Sequence, residues 1–329
     1  MEQRRFGDSD LVCSALGFGT WEMSTTQYGH IDVGEASAAV NAAIDHGITL
    51  FDTAEVYGPY HSEEILAKAL GPRRKEIVLV TKVGFTFGED NRITGRCSKY
   101  DYIIERAEGC LNRLKTDCVD LLLIHWPDHD TPYDEPIRAL EKLKSDGKIR
   151  HYGVSNFSLA MMDVCEKAGH LTANQIGYNL FDRRVEKSAL NYCREHRIGF
   201  MAYGTLGFGL LTGAFTPLTT FEKGDWRRGG RAFELPVFES ENFLRELRVV
   251  TKLQELAAKY EKSVAQLAIA WVLDSPAVTV ALVGMRNTKE LKENVAAVDW
   301  RLTEEDKSEI DRIFQEENVP TYRDRKLAT

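Results

Sequence analysis

Leu121-Leu122-Leu123-Ile124-His125 is the stretch that decides the fold. Four apolar residues in a row, with no polar alternation, describe a strand buried on both faces, as in a parallel sheet covered by helices. Working outward, similar short runs recur at 15–19, 50–52, 78–82, 151–155, 173–177, 199–203 and 278–283, eight with 121–125. Helical periods fall between them. The period over 35–46 stops before Gly47, which suits a C′ glycine. The period over 63–70 stops at Gly71-Pro72. Ser98 with Asp101, and Ser263 with Gln266, have capping-box spacing ahead of helices at 100–114 and 265–273. Strands alternating with helices imply parallel pairing through right-handed crossovers. No G-x-G-x-x-G follows an early strand, so the dinucleotide fingerprint of the open sheet is missing. The expected fold is a (β/α)8 TIM barrel.

Two stretches break the rhythm. Residues 4–13 read as a hairpin turning at Gly7-Asp8-Ser9. Residues 204–241 have no period, and long loops of that kind form lids or binding loops. A bare barrel takes about 250 residues, and the chain has 329. The excess is assigned to the hairpin, the long loop, an extra helix before Ser263 and a C-terminal helix from near Thr303. The chain is expected to be one domain over 1–329, with 318–329 a loose tail.

Composition excludes several classes. Hydrophobic residues make up 43% and charged residues 28%, enough for a sizeable core. Net charge is −8, which argues against nucleic acid. No apolar run reaches membrane-spanning length, and Met1-Glu2-Gln3-Arg4-Arg5 leads into no apolar signal segment. Cys13, Cys97, Cys110, Cys118, Cys165 and Cys193 lack any C-x-x-C, so neither a zinc site nor a disulfide frame is expected. They read as reduced thiols of a cytoplasmic protein. No metal is expected: His30, His46 and His61 are scattered, and Asp128-His129-Asp130 reads as a solvated loop.

Barrel active sites lie at the C-terminal ends of the strands. The second, third and fourth runs end in Asp52, Lys82 and His125, and Tyr57 follows five residues after Asp52. A buried Asp and Lys must be paired. Lys82 is expected to pull the Tyr57 hydroxyl toward the phenolate. Such a tyrosine protonates a developing alkoxide, while His125 holds a carbonyl oxygen. Any one of these residues alone is better explained as a structural ion pair, a packed tyrosine or a core histidine. Four at successive strand ends favour chemistry.

Phe51-Asp52-Thr53-Ala54-Glu55-Val56-Tyr57-Gly58, Thr81-Lys82, Leu123-Ile124-His125-Trp126-Pro127-Asp128 and Gly153-Val154-Ser155-Asn156-Phe157 resemble the motifs of the aldo-keto reductase superfamily, in order and at compatible spacing. The similarity runs from about residue 17 to 294. It implies hydride transfer from a nicotinamide cofactor to an aldehyde or ketone, with Tyr57 as general acid, Asp52 and Lys82 tuning it and His125 orienting the carbonyl. It further implies that Ser155, Asn156 and Gln175 bind the cofactor carboxamide and that Tyr203 stacks on its ring. Taken alone, Ser155 and Asn156 would read equally well as a cap or turn before Leu159.

The resemblance places Gly204, Leu206, Gly209 and Leu211 in a phosphate loop, with backbone N–H groups of 207–211 as donors. Arg227, beside Arg228 and Arg231, falls in a lid segment. Gly284, Arg286 and Asn294 fall where the adenosine 2′-phosphate and adenine bind, and a helix start near Thr288 suits an anion. Gly204, Thr205, Ala214 and Glu290 depart from the usual pattern. NADP(H) is expected over NAD(H), with NAD(H) retained as an alternative. Trp21, Tyr28, Phe85, Phe87 and Trp126 are candidate walls for a small carbonyl or sugar substrate. Two further readings stay open: a sugar or alcohol dehydrogenase working oxidatively, and a slow cofactor-sensing binding subunit. The sequence carries no signal for oligomeric state.

Overall fold

The computed structural model describes residues 1–24, 27–28 and 31–324. His30 and the last five residues of the expected tail lie outside the described residues. A hairpin of β1 (Gln3–Arg5) and β2 (Val12–Ser14) leads into β3 (Leu16–Gly19), β4 (Leu50–Asp52) and β5 (Val78–Val83). A second hairpin, β6 (Phe85–Phe87) and β7 (Ile93–Arg96), follows; it has no counterpart in the sequence reading. Then come β8 (Val119–Ile124), β9 (Ile149–Ser155), β10 (Ala173–Gly177), β11 (Gly199–Tyr203) and β12 (Val278–Gly284). Strands β3, β4, β5, β8, β9, β10, β11 and β12 form a closed barrel in that order. Parallel pairing of β12 with β3, Gly284 opposite Gly19, completes it. All eight expected runs are barrel strands.

The barrel explains the unbroken apolar run Leu121-Leu122-Leu123-Ile124. Leu121 and Leu123 point inward with Leu50, Val80, Met201, Val280 and Leu282. Leu122 and Ile124 point outward into the larger core shared with the helices. With both faces covered, neither face calls for polar residues. From the first hairpin, Phe6 and Leu11 are buried in the inner cluster, opposite the catalytic mouth. A Cβ on Gly199 would fall 2.2 Å from the Phe6 ring, so this floor requires glycine there.

The surrounding helices are α1 (Val33–Asp45), α2 (His61–Leu70), α3 (Tyr100–Leu114), α4 (Asp134–Ser145), α5 (Leu159–Ala168), α6 (Ala189–Glu195), α7 (Ser240–Ala258), α8 (Val264–Asp274), α9 (Thr288–Val295) and α10 (Glu304–Glu316). The Ser263–Gln266 capping box forms as expected, and Thr303 makes a second with Asp306. Ser98 does not cap α3. Its hydroxyl is buried without a partner among the described residues, while the Tyr100 N–H donates to Glu135 of α4 at 2.9 Å. A tertiary partner has replaced the local one.

The expectation of a solvated loop at Asp128 is also corrected. Its buried carboxylate accepts from the Ser98 and Asp130 N–H groups and the Thr131 hydroxyl. The described part of the C-terminal segment is not loose either. Val319 is buried, the Arg183 N–H donates to the Thr321 carbonyl at 2.9 Å, and Arg323 pairs with Glu186. The long loop holds a single turn at Trp226–Gly229, a stretch at Gly207–Thr212 kinked at Phe208 and Gly209, and a tight reversal where Ala232 and Leu235 pair. Among the described residues no helix is long and apolar enough to cross a membrane.

Candidate active site

Because the barrel strands are parallel, their last residues converge on one mouth. Lys82 sits fully buried and donates from Nζ to Asp52 Oδ2 at 2.6 Å, to the Thr53 carbonyl at 2.8 Å and to Tyr57 Oη at 3.1 Å. Tyr57 lies on the turn after β4, where its own N–H donates to the Ala54 carbonyl. Gly58 next to it has φ +77°, and a Cβ there would fall 2.2 Å from the Ser24 carbonyl oxygen. Glycine therefore lets this turn dock and aims the phenol inward. The His125 ring stands edge-on to Tyr57, centroids 5.7 Å apart, with Nδ1 buried and unpartnered among the described residues.

The electrostatics correct one expectation. The Tyr57 hydroxyl is pushed well above the usual phenol range, by burial first and the Asp52 carboxylate second. The sequence reading paired Asp52 with Lys82 but counted only the Lys82 cation toward Tyr57, and not the burial of the phenol or the Asp52 charge. Burial likewise raises the Asp52 carboxyl and lowers the Lys82 ammonium, each pulled back by the other. Burial, then Lys82, drives His125 well below its normal range, leaving a neutral imidazole. At neutral pH the mouth therefore carries a protonated phenol and an uncharged histidine beside the buried Lys82–Asp52 pair.

The cofactor candidates of the next strands are tied to these residues. Gln175 donates from Nε2 to Asp52 Oδ1 at 2.8 Å. Ser155 Oγ donates to the Gln175 carbonyl at 2.8 Å. Asn156, in a left-handed conformation at φ +63°, donates to the His125 carbonyl at 3.2 Å and accepts from the Tyr203 hydroxyl at 2.9 Å. All four line one cavity of about 660 Å³ that also takes in Asp52, Tyr57 and His125.

That cavity extends to Gly204, Leu206, Gly209, Arg227, Gly284, Arg286 and Asn294. Leu211 does not reach it. Its side chain is in the core, and its N–H donates to the Leu206 carbonyl. The Gly207 and Gly209 N–H groups are also spent within the turn, on Gly204 and Leu206, so the expected row of free phosphate donors is smaller than the sequence suggests. The start of α9 is similarly occupied, because the Asn287 side chain accepts from the Lys289 and Glu290 N–H groups.

Both candidate phosphate arginines come with carboxylates. Arg286 binds Glu290 at 2.8 Å, and Arg227 binds Asp225 through Nε at 2.9 Å. Of the lid arginines only Arg227 lines the cavity; Arg231 pairs with Glu239.

Trp21, Tyr28, Phe85 and Trp126 line the cavity as expected, and Phe87 does not. Phe87 instead packs on Tyr60 and lies under Arg106. The sequence reading missed Phe208, Phe233 and Glu22, all of which line the cavity. Phe233 stacks on Trp126 and meets Tyr203 and Phe208 edge-on or tilted. It does so from a two-residue reversal in which Phe233 and Glu234 both have positive φ. Aromatic residues in an otherwise polar aperiodic loop were the available signal. For Glu22 there was none. No group of three or more His, Cys, Asp or Glu is arranged to hold a metal among the described residues.

Comparison with known proteins bears on this site. A model of the Aldo/keto reductase family matches residues 15–315. Aldo-keto reductase YhdN of Bacillus subtilis is 37% identical over 318 residues, 96% of this chain and 94% of that protein. The glycerol dehydrogenase AKR11B4 from Gluconobacter oxydans superposes with a TM-score of 0.87 at 38% identity, over 97% of this chain and 96% of the other. An aldo/keto reductase from Klebsiella pneumoniae, solved in complex with NADP and acetate, superposes with a TM-score of 0.75 at 28% identity, over 95% and 96%.

Proposed function

The chain belongs to the aldo/keto reductase family, and from that premise we propose that it reduces a small aldehyde or ketone to the alcohol with NADPH, Tyr57 supplying the proton. Membership makes it an NADP-dependent oxidoreductase. The single observation that carries the mechanism is the line from Asp52 through Lys82 to Tyr57, at 2.6 and 3.1 Å, opening beside a neutral His125.

The residues present fit a nicotinamide dinucleotide by the chemistry of their donors. Amide side chains of Asn156 and Gln175 suit the carboxamide, and the Tyr203 ring suits the nicotinamide face. Arg227 and Arg286 suit phosphates, and Asn294 suits adenine. The bound cofactor supplies the hydride. The chain supplies the rest. The Tyr57 hydroxyl, kept protonated by burial, gives its proton to the oxygen of the developing alkoxide, and Lys82 stabilises the phenolate left behind. Asp52 fixes Lys82, and Gln175 fixes Asp52. His125 presents an uncharged ring to the carbonyl oxygen. Trp21, Phe208 and Phe233 keep water from the mouth, where a lower dielectric strengthens these interactions.

One observation favours the oxidative direction as a second reading: the likeness to a glycerol dehydrogenase at 38% identity. The same residues would then act in reverse, Tyr57 accepting the proton. A two-way assay separates these: NADPH with aldehydes, ketones and sugars, and NADP+ with glycerol and other polyols. Consumption of NADPH with at least one aldehyde is expected. Absence of turnover in both directions across the panel contradicts the proposal.

A further inference from the structure

Glu22 has no part in the chemistry proposed above, yet it occupies the cofactor side of the cavity. It follows Trp21 in the short turn Trp21–Ser24. Its carboxyl lies flat on Gly284, the last residue of β12: a Cβ built on Gly284 would fall 2.0–2.1 Å from the Glu22 carboxyl carbon and both oxygens. The space over Gly284, which the functional reading allots to the dinucleotide, is thus filled by a side chain of the same molecule.

The charges facing Glu22 are Arg286 and Glu290 beyond β12, and Arg227 from the long loop. Tyr28 and Tyr57 face it with their hydroxyls. Each arginine already holds a carboxylate of its own, Glu290 or Asp225, and among the described residues neither forms an ion pair with Glu22. Glu22 is therefore a half-buried acid on the groove wall, without an ion-pair partner among the described residues and held only by its own backbone N–H and by the two arginines at longer range. Burial pushes its carboxyl up to about 7, with its own backbone N–H and then Arg286 opposing and Glu290 adding to the rise. Lys289, Glu290 and Glu293 line the same part of the cavity, so the groove is no simple positive cradle for a polyanion.

We propose that Glu22 is a resident acid of the dinucleotide groove, which must be protonated for the cofactor's anionic part to enter beside it, so that cofactor binding takes up a proton. This rests on the reading that the groove binds a dinucleotide. The sign follows from charge. A bound polyanion raises the carboxyl further, so affinity is full at low pH and falls as the apo protein ionises. If only the protonated form is competent, the apparent Kd rises by about tenfold between about pH 6 and about pH 8.

The test uses the whole protein and NAD+, which has no group titrating in that window, unlike a 2′-phosphate. Kd is read from quenching of tryptophan fluorescence, and proton uptake from calorimetry in two buffers of different ionisation enthalpy. Wild type should weaken about tenfold across the window and take up close to one proton per NAD+ near pH 8. Glu22→Gln should be flat, should take up none, and should bind more tightly than wild type near pH 8. A thermal melt shows that the variant is folded, and Glu22→Ala gives a second variant with the same expectation. A pH slope retained in Glu22→Gln overturns the proposal, as does a flat wild type. Weaker binding by Glu22→Gln makes Glu22 a contact rather than an obstacle and also overturns it. If neither protein binds NAD+ or NADP+, the functional reading falls as well, which distinguishes the two failures.

Discussion

Arg286 has its guanidinium against Glu290, with Nη2 at 2.8 Å and Nε at 3.1 Å from one carboxylate oxygen, and its own N–H donates to the other. A 2′-phosphate must compete with that carboxylate and meets its repulsion. The pair is partly exposed, with side-chain accessibilities of 55% and 29%, so the effect is screened and worth about 1 kcal/mol. Glu290→Gln should therefore tighten NADPH by roughly three- to tenfold and leave NADH nearly unchanged, as read by titration of each cofactor. An unchanged ratio of the two Kd values speaks against the pairing as a determinant. Among single residues, those at strand ends were legible in the sequence. Polar side chains closing apolar runs announce themselves, as Asp52, Lys82, His125 and Gln175 did. Glu22 was not legible, because its place in the groove depends on contact with Gly284, more than two hundred residues away in the chain. The direction in which Tyr57 shifts was missed for the same reason. Neighbours in sequence show charges but not the depth at which they are held.

Elements were legible where their signals are local. The Ser263 hydroxyl accepts from the Gln266 N–H, and the Gln266 side chain returns to the Ser263 N–H at 3.0 Å. Both groups belong to the first turn of α8, so spacing alone identifies them. Ser263→Ala should cost about 1 kcal/mol and lower Tm by roughly 1–2 °C in a thermal melt. The same substitution at Ser98 should leave α3 intact, since Glu135 supplies that partner. Equal losses at both sites contradict the assignment of caps. The β6–β7 hairpin escaped the reading because Phe85–Phe87 is too short to show alternation, and its register shifts between Thr86 and Phe87. The long loop was itself legible at 204–241, but its internal packing was not. Its aromatic residues pack through contacts between Phe208, Trp226 and Phe233, not through any period.

At the scale of the molecule, the closed barrel followed from counting runs and noting that they are apolar on both faces. Its two ends divide the work. The floor, made by Phe6 and Leu11 against Gly199, is structural, while the mouth carries the polar residues. Phe6→Ala should therefore cost about 3–5 kcal/mol and lower Tm by roughly 4–7 °C, yet leave kcat near wild type at temperatures where the variant stays folded. Loss of kcat in parallel with stability contradicts that division.

The mouth itself stands or falls with Tyr57, and the most direct measurement is a comparison of Tyr57→Phe with wild type. Hydride transfer from NADPH to an accepted aldehyde is followed by nicotinamide absorbance in a single turnover, with NADPH affinity measured separately. The phenyl ring keeps the packing on Trp21 and removes only the proton that Lys82 steadies. The rate should fall by about 10²–10⁴-fold while the Kd for NADPH stays within about twofold. A near wild-type rate in Tyr57→Phe contradicts Tyr57 as the proton donor.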